Sequence, residues 1–151
     1  MNHDFDFLFG TWDVANRALK KRLADCTEWD EFPGVAAIRG IFGGAGNVDE
    51  IEFPTRGFSG LTLRLYDPES EEWSLYWSSS RSSAIEPPVI GRFDDGVGTF
   101  YGDDTHEGTP VRVRFLWSGI TATTAHWEQA FSTDGQTWET NWLMDLTRRS
   151  P

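Results

Sequence analysis

The chain has 151 residues, 38% of them hydrophobic and 15% aromatic, and carries a formal charge of −11 at pH 7. Such a length reads as one domain, residues 1–151, with a core made from a few large rings, and the acidic balance excludes nucleic acid and anionic membrane surfaces as partners because both select basic faces. A lone cysteine, Cys26, forms no internal disulfide, the opening residues lack a signal-peptide pattern, and no stretch approaches the ~20 apolar residues of a membrane helix, so a cytoplasmic protein is expected.

Residues 3–9 alternate acids with aromatics before Gly10-Thr11-Trp12, which predicts a turn or short helix packing Phe5, Leu8 and Phe9 across one end of the fold. A first strand follows, with Trp12, Val14, Asn16 and Ala18 on one face. Weaker strand signals cover residues 28–32, ended by Pro33-Gly34, then 35–42, ended by a glycine cluster, then 47–53, ended by Pro54. That cluster lacks the GxxxxGK[ST] spacing of a phosphate loop and reads as a turn.

Residues 57–66 form a clear strand, with Leu61, Leu63 and Leu65 on one face and Thr62 and Arg64 opposite; Leu63 is assigned to the interior. After the turn at Asp67-Pro68, Trp73, Leu75 and Trp77 return in phase. Residues 81–88 form a longer loop expected at a barrel mouth, where Arg81 is the candidate to meet an anionic ligand. Its serines lack the GxSxG elbow of a nucleophile. Asp95-Gly96 turns a hairpin between residues 89–94 and 97–103. The loop from Asp103 to Gly108 reads as a solvated acidic turn, since a hard-cation site needs a fuller run of spaced oxygen ligands.

Residues 111–148 are three aromatic-rich segments with period-two alternation. Val111, Val113, Phe115, Trp117, Trp127, Gln129 and Phe131 share one face, and after an Asp-Gly turn the phase switches to Trp138, Trp142, Met144 and Leu146. The opposite face carries Arg112, Arg114, His126, Glu128, Glu139 and Asp145, read as cross-strand charge pairs on the outside. Short strands in such number must stack or close, because open edges invite aggregation. We expect an all-β fold, a single antiparallel up-and-down β-barrel of about ten strands closed at one end by the N-terminal turn or helix. Asn16, Thr99 and Gln129 share phase with the rings, and a barrel of more than about eight strands leaves interior room, so an internal small-molecule cavity follows.

The run Phe7-Leu8-Phe9-Gly10-Thr11-Trp12 resembles the GxW opening of lipocalin-like, or calycin, barrels. FLFGTWDV, the glycine run before Asn47-Val48-Asp49-Glu50, YDPESEEWSLYW and FSTDGQTWETNWLMDLTR together resemble the bacterial DUF1579 family across residues 5–148. The resemblance implies a calycin-like barrel with a central cavity, and it supplies no catalytic residues. The haem-binding nitrobindins are a related group, but their GxWxGxGxG-like run is not continued here after Trp12. A haem would need an axial ligand from His3, His106 or His126, of which the first two are expected at a terminus and in a loop, and the third on the outward face.

The leading functional reading is a module that binds an apolar or aromatic small molecule. Its ligand-binding residues would be Trp12, Asn16, Leu63, Trp77, Tyr101, Phe115, Trp117, Trp127, Gln129, Trp142 and Met144, with Asn16, Tyr101 and Gln129 orienting a polar end. That reading calls for no metal, no cofactor and no catalytic residue. The alternative is a lipocalin-like isomerase, hydratase or decarboxylase, which requires the C-terminal strands to be reversed in phase so that Arg114, His126, Glu128 and Asn141 turn inward. The direction of Glu128 separates the two. A third reading is a homodimer joined through Trp29, Tyr76 or Trp138. Cys26, without a CxxC partner or a nearby His, reads as a passive thiol.

Overall fold

The computed structural model describes residues 2–149. Its strands are β1 (Gly10–Leu19), β2 (Trp29–Ile41), β3 (Gly46–Phe53), β4 (Phe58–Asp67), β5 (Glu72–Ser79), β6 (Val89–Asp94), β7 (Val97–His106), β8 (Thr109–Ser118), β9 (Thr124–Ser132) and β10 (Glu139–Arg148). Each pairs antiparallel with its neighbour in sequence, and β10 returns to β1 from Trp12↔Arg148 to Ala18↔Trp142. The result is the expected closed up-and-down barrel, in which every strand has a partner on both sides and the β5–β6 seam is the shortest, from Trp73↔Gly91 to Leu75↔Val89. No helix is long and apolar enough to cross a membrane among the described residues.

Strand direction alternates, so the connections at residues 20–28, 54–57, 80–88, 107–108 and 133–138 share one end, here the upper end. The N-terminal segment occupies the lower end. A 3-10 turn at Asp6–Leu8 buries Phe5 and Leu8, and the Phe5 ring meets Trp73 and Phe93 edge-on, each at 4.9 Å. Trp12 Nε1 donates to the Leu8 carbonyl at 2.8 Å, and the Arg148 guanidinium lies 4.3 Å over the Trp12 ring while donating to the Phe7 and Phe9 carbonyls. Each buried ring removes roughly 150–250 Å² from water, which is why a handful of aromatics can seal this end.

Four sequence expectations change. The segments at residues 28–32 and 35–42 are one strand, β2, with Pro33 inside it opposite Ala15. Pro33-Gly34 continues the strand and does not turn the chain; a Cβ on Gly34 would lie 3.0 Å from Asn16 Nδ2 and 3.2 Å from Ile51 Cδ1. On β4 the phase is reversed: Thr62 and Arg64 line the interior, and the face with Leu61, Leu63 and Leu65 is outside. The apolar-side-inward rule fails because Arg64 finds buried polar partners on β3. On β7 the interior residues are Gly98, Phe100, Gly102, Asp104 and His106, so Thr99 and Tyr101 face out, Tyr101 against Trp138 at 5.9 Å.

The fourth change lies in β10, where the ladder with β9 shifts register between Thr140 and Trp142. Asn141 is the extra residue of a β-bulge, fully buried, and its Oδ1 accepts from Gln129 Nε2 at 2.8 Å. Beyond the bulge Trp142, Met144 and Leu146 face inward as expected. Before it the phase is opposite: Glu139 is paired with interior Phe131, and Trp138 is left outside beneath the Arg114 guanidinium at 4.7 Å.

Candidate functional site

Above the aromatic plug the barrel encloses a cavity of about 240 Å³ that opens toward the upper end. Its apolar wall comes from alternate positions on nearly every strand: Ala36, Ile51, Leu75, Val89, Val113, Phe131 and Leu146, with Trp77, Phe115, Trp117, Trp127, Trp142 and Met144 as its large side chains. Phe115 and Trp127 meet edge-on at 5.0 Å, and Trp127 and Trp142 at 6.3 Å. Gln129 is on the wall too, turned toward the bulge at Asn141.

Seven of the residues singled out from sequence therefore line the cavity: Trp77, Phe115, Trp117, Trp127, Gln129, Trp142 and Met144. The others are elsewhere. Trp12 belongs to the plug below. Asn16 stands behind the wall, accepting from Trp142 Nε1 at 3.1 Å and donating to the Phe32 carbonyl at 3.2 Å, so it fixes the indole instead of meeting a ligand. Leu63 and Tyr101 face outward for the reasons given above. Arg81 is at the mouth end, but its guanidinium stacks 3.6 Å over the Phe58 ring and takes no part in the lining.

The floor is charged, which the sequence reading missed. Arg64 is 3% exposed; Nη1 donates to Asn47 Oδ1 and Nη2 to Asp49 Oδ2, each at 2.8 Å. The guanidinium lies 5.1 Å from the Phe5 ring centroid and 5.6 Å from that of Trp117. Its Nε–H has no acceptor. A buried donor left unpaired costs roughly 1–3 kcal/mol, and more when charged. The sequence did hold a signal: Asn47 and Asp49 alternate in phase with Ile51 and Phe53, and Asp49 pairs across to Thr62, whose face includes Arg64.

The mouth is also charged. Residues 20–28 fold back over the opening, with Leu23 and Asp25 in left-handed backbone conformations (φ 57° and 52°) and the Leu23 N–H donating to Glu139 Oε1 at 2.7 Å. This places the Arg22 guanidinium 5.3 Å from the Phe131 ring centroid and 5.9 Å from that of Trp142. Burial lowers the Arg22 pKa, against the pull of Glu86 and Glu139. Loss of solvent raises the Glu86 pKa, a hydrogen bond with Asp104 and the charge of Asp104 add to the rise, and Arg22 opposes it. His106, expected in a loop, ends β7 and lines the cavity with its ring 6.0 Å from Phe131.

The reversed-phase cluster does not form. Arg114, His126 and Glu128 lie on the outer face, where His126 Nδ1 meets Asp145 Oδ1 at 2.8 Å and Nε2 meets Glu128 Oε2 at 3.0 Å. Only Asn141 of that set is buried, through the bulge. Burial pulls the His126 pKa down, but its bonds to Asp145 and Glu128 more than offset this and leave it raised. Of the three histidines considered as haem ligands, only His106 reaches the cavity. Among the described residues no group of three or more His, Cys, Asp or Glu side chains is placed to hold a metal ion.

No family model matches the chain. No curated protein matches it either. Among solved structures, the S-type phycobiliprotein lyase of Guillardia theta is similar with a TM-score of 0.56 and 13% identity, over 97% of this chain and 91% of that one. Similarity at that identity is one of fold, the closed antiparallel barrel described above.

Proposed function

We propose that this barrel is a small-molecule binding protein, of the DUF1579 type its motifs resemble, holding an apolar or aromatic ligand in the cytoplasm. The observation that carries the reading is the cavity itself: an aromatic-walled space, closed below by the N-terminal rings and open above. Its volume of about 240 Å³ lies under the ~300–1,000 Å³ usual for drug-sized ligands, so a one- or two-ring compound fits and a haem does not. The lone Cys26 agrees with a reducing compartment. That a barrel of this shape also serves a phycobiliprotein lyase is in keeping with a working interior.

Four indoles line the wall, so occupancy is visible in their emission. Titration with a panel of small aromatic aldehydes, ketones, acids and short fatty acids is expected to quench tryptophan fluorescence saturably for at least one class. Native mass spectrometry of the purified protein checks for a co-purifying molecule. Absence of both saturable quenching and a bound mass would end the reading.

A further inference from the structure

Charge taken out of water needs a direct partner, and one charge at the cavity mouth lacks one. Two guanidiniums line the cavity: Arg64 is paired with Asp49 at 2.8 Å, whereas Arg22 closes no ion pair and donates no hydrogen bond among the described residues. The rings of Phe131 and Trp142, themselves part of the wall, hold Arg22 in place. Loss of solvent there outweighs the pull of Glu86 and Glu139, so nothing close at hand offsets the cost of its charge. Its nitrogens are also within reach of a ligand. Arg22 is half-buried, and the sealed side-chain nitrogens without partners are Arg64 Nε and Asn141 Nδ2, not those of Arg22.

The carboxylates around the cavity, by contrast, are engaged. Asp49 is with Arg64, Asp103 is with Arg112 at 3.1 Å, and Glu139 Oε1 accepts the Leu23 N–H at 2.7 Å. Glu86 hydrogen-bonds Asp104, a contact that two carboxyls make only with a proton between them, and that proton removes one of their charges. The chain's charge of −11 opposes an anion at a distance, but exposed charges are screened beyond roughly 10 Å at 0.1 M salt, so contacts at the mouth decide.

We propose that Arg22 anchors a carboxylate, and that the cavity takes small acids with an aromatic or apolar body, the body inward against Trp127 and Trp142 and the carboxylate at the mouth. This rests on the cavity being a ligand site. The part that the sequence suggested for Arg81 falls to Arg22, which residues 20–28 bring over the opening.

The test uses three compounds of one skeleton: hydrocinnamate, its uncharged amide hydrocinnamamide, and phenylpropylammonium. Affinities are measured by tryptophan quenching on the full chain. The wild type is expected to bind hydrocinnamate at least about tenfold tighter than the amide or the ammonium, a comparison that needs no variant. Arg22→Gln is expected to abolish the preference, weakening hydrocinnamate about tenfold while the amide changes by less than about twofold. An amide or ammonium bound by the wild type as tightly as hydrocinnamate, or a preference that survives Arg22→Gln, would overturn the assignment and leave the cavity reading intact. So would failure of all three compounds while another class quenches. Absence of quenching by every class would overturn both.

Discussion

A guanidinium buried among rings is stable only while its partners stay in place, and Arg64 depends on Asp49 and Asn47 for that. Removing one member of such a pair leaves an uncompensated charge, so Asp49→Ala is expected to cost about 3–5 kcal/mol in chemical denaturation. Arg81 is the opposite case. Its guanidinium covers Phe58 outside the cavity, so Arg81→Ala is expected to change ligand affinity by less than about twofold and stability by about 1 kcal/mol or less. A drop of tenfold in affinity would return Arg81 to the site. On the outer wall, His126 has a raised pKa, so its imidazolium contributes stability that is fully present below the ordinary value of 6.5 and is lost as pH rises through the raised value. His126→Gln is expected to abolish that pH-dependent increment, on the order of 0.2–1 kcal/mol, in denaturant midpoints measured across the window. An unchanged pH profile in the variant would show that the pairs with Asp145 and Glu128 carry no stability.

At the level of strands, period-two alternation was readable wherever one face is aromatic and the other charged. Trp73-Leu75-Trp77 on β5 and the run Val111 to Trp117 on β8 point inward as the sequence suggests. It misled on β4, where three leucines look like a core face but the interior side is that of Thr62 and Arg64: the charge partner, Asp49, sits on β3, so alternation within β4 alone does not show it. It misled at Trp138 because one bulge residue reverses phase, and nothing in ETNW marks Asn141 as that residue. Asn141→Ala would leave the Gln129 amide without its acceptor and is expected to cost about 1–3 kcal/mol. Two glycines give a sharper contrast. A Cβ at Gly91 would stand 1.9 Å from the Thr99 carbonyl oxygen, whereas at Gly60 it would stand 2.0 Å from the Trp77 ring. Backbone cannot step aside but an indole can rotate. Gly91→Ala is therefore expected to separate β6 from β7 and destabilise the more in thermal melts, while Gly60→Ala costs about 1–3 kcal/mol and displaces Trp77 into the cavity. Equal losses from both would contradict the difference.

For the molecule as a whole, closure of β1 on β10 and the plug around Phe5 turn a sheet into a vessel with one open end. The closed, all-antiparallel barrel was legible from turn spacing, aromatic alternation and the lack of any helical period. The charged floor and rim were not, since Asp49, Arg64, Arg22, Glu86 and His106 come from separate strands and loops that only closure brings together. If the cavity holds a ligand, narrowing it must weaken binding, and Ala36 on its wall can be enlarged without replacing a charged group or an aromatic ring. Ala36→Leu would fill part of the 240 Å³ from the wall. Isothermal titration of both proteins with the compound that quenches tryptophan fluorescence most strongly, alongside their melting temperatures, decides the matter. Saturable binding by the wild type is expected, weakened at least about tenfold in the variant, with a melting temperature equal or higher because cavity filling typically adds ~0.5–2 kcal/mol. Binding of equal strength by a well-folded Ala36→Leu protein would show that the compound binds outside the cavity.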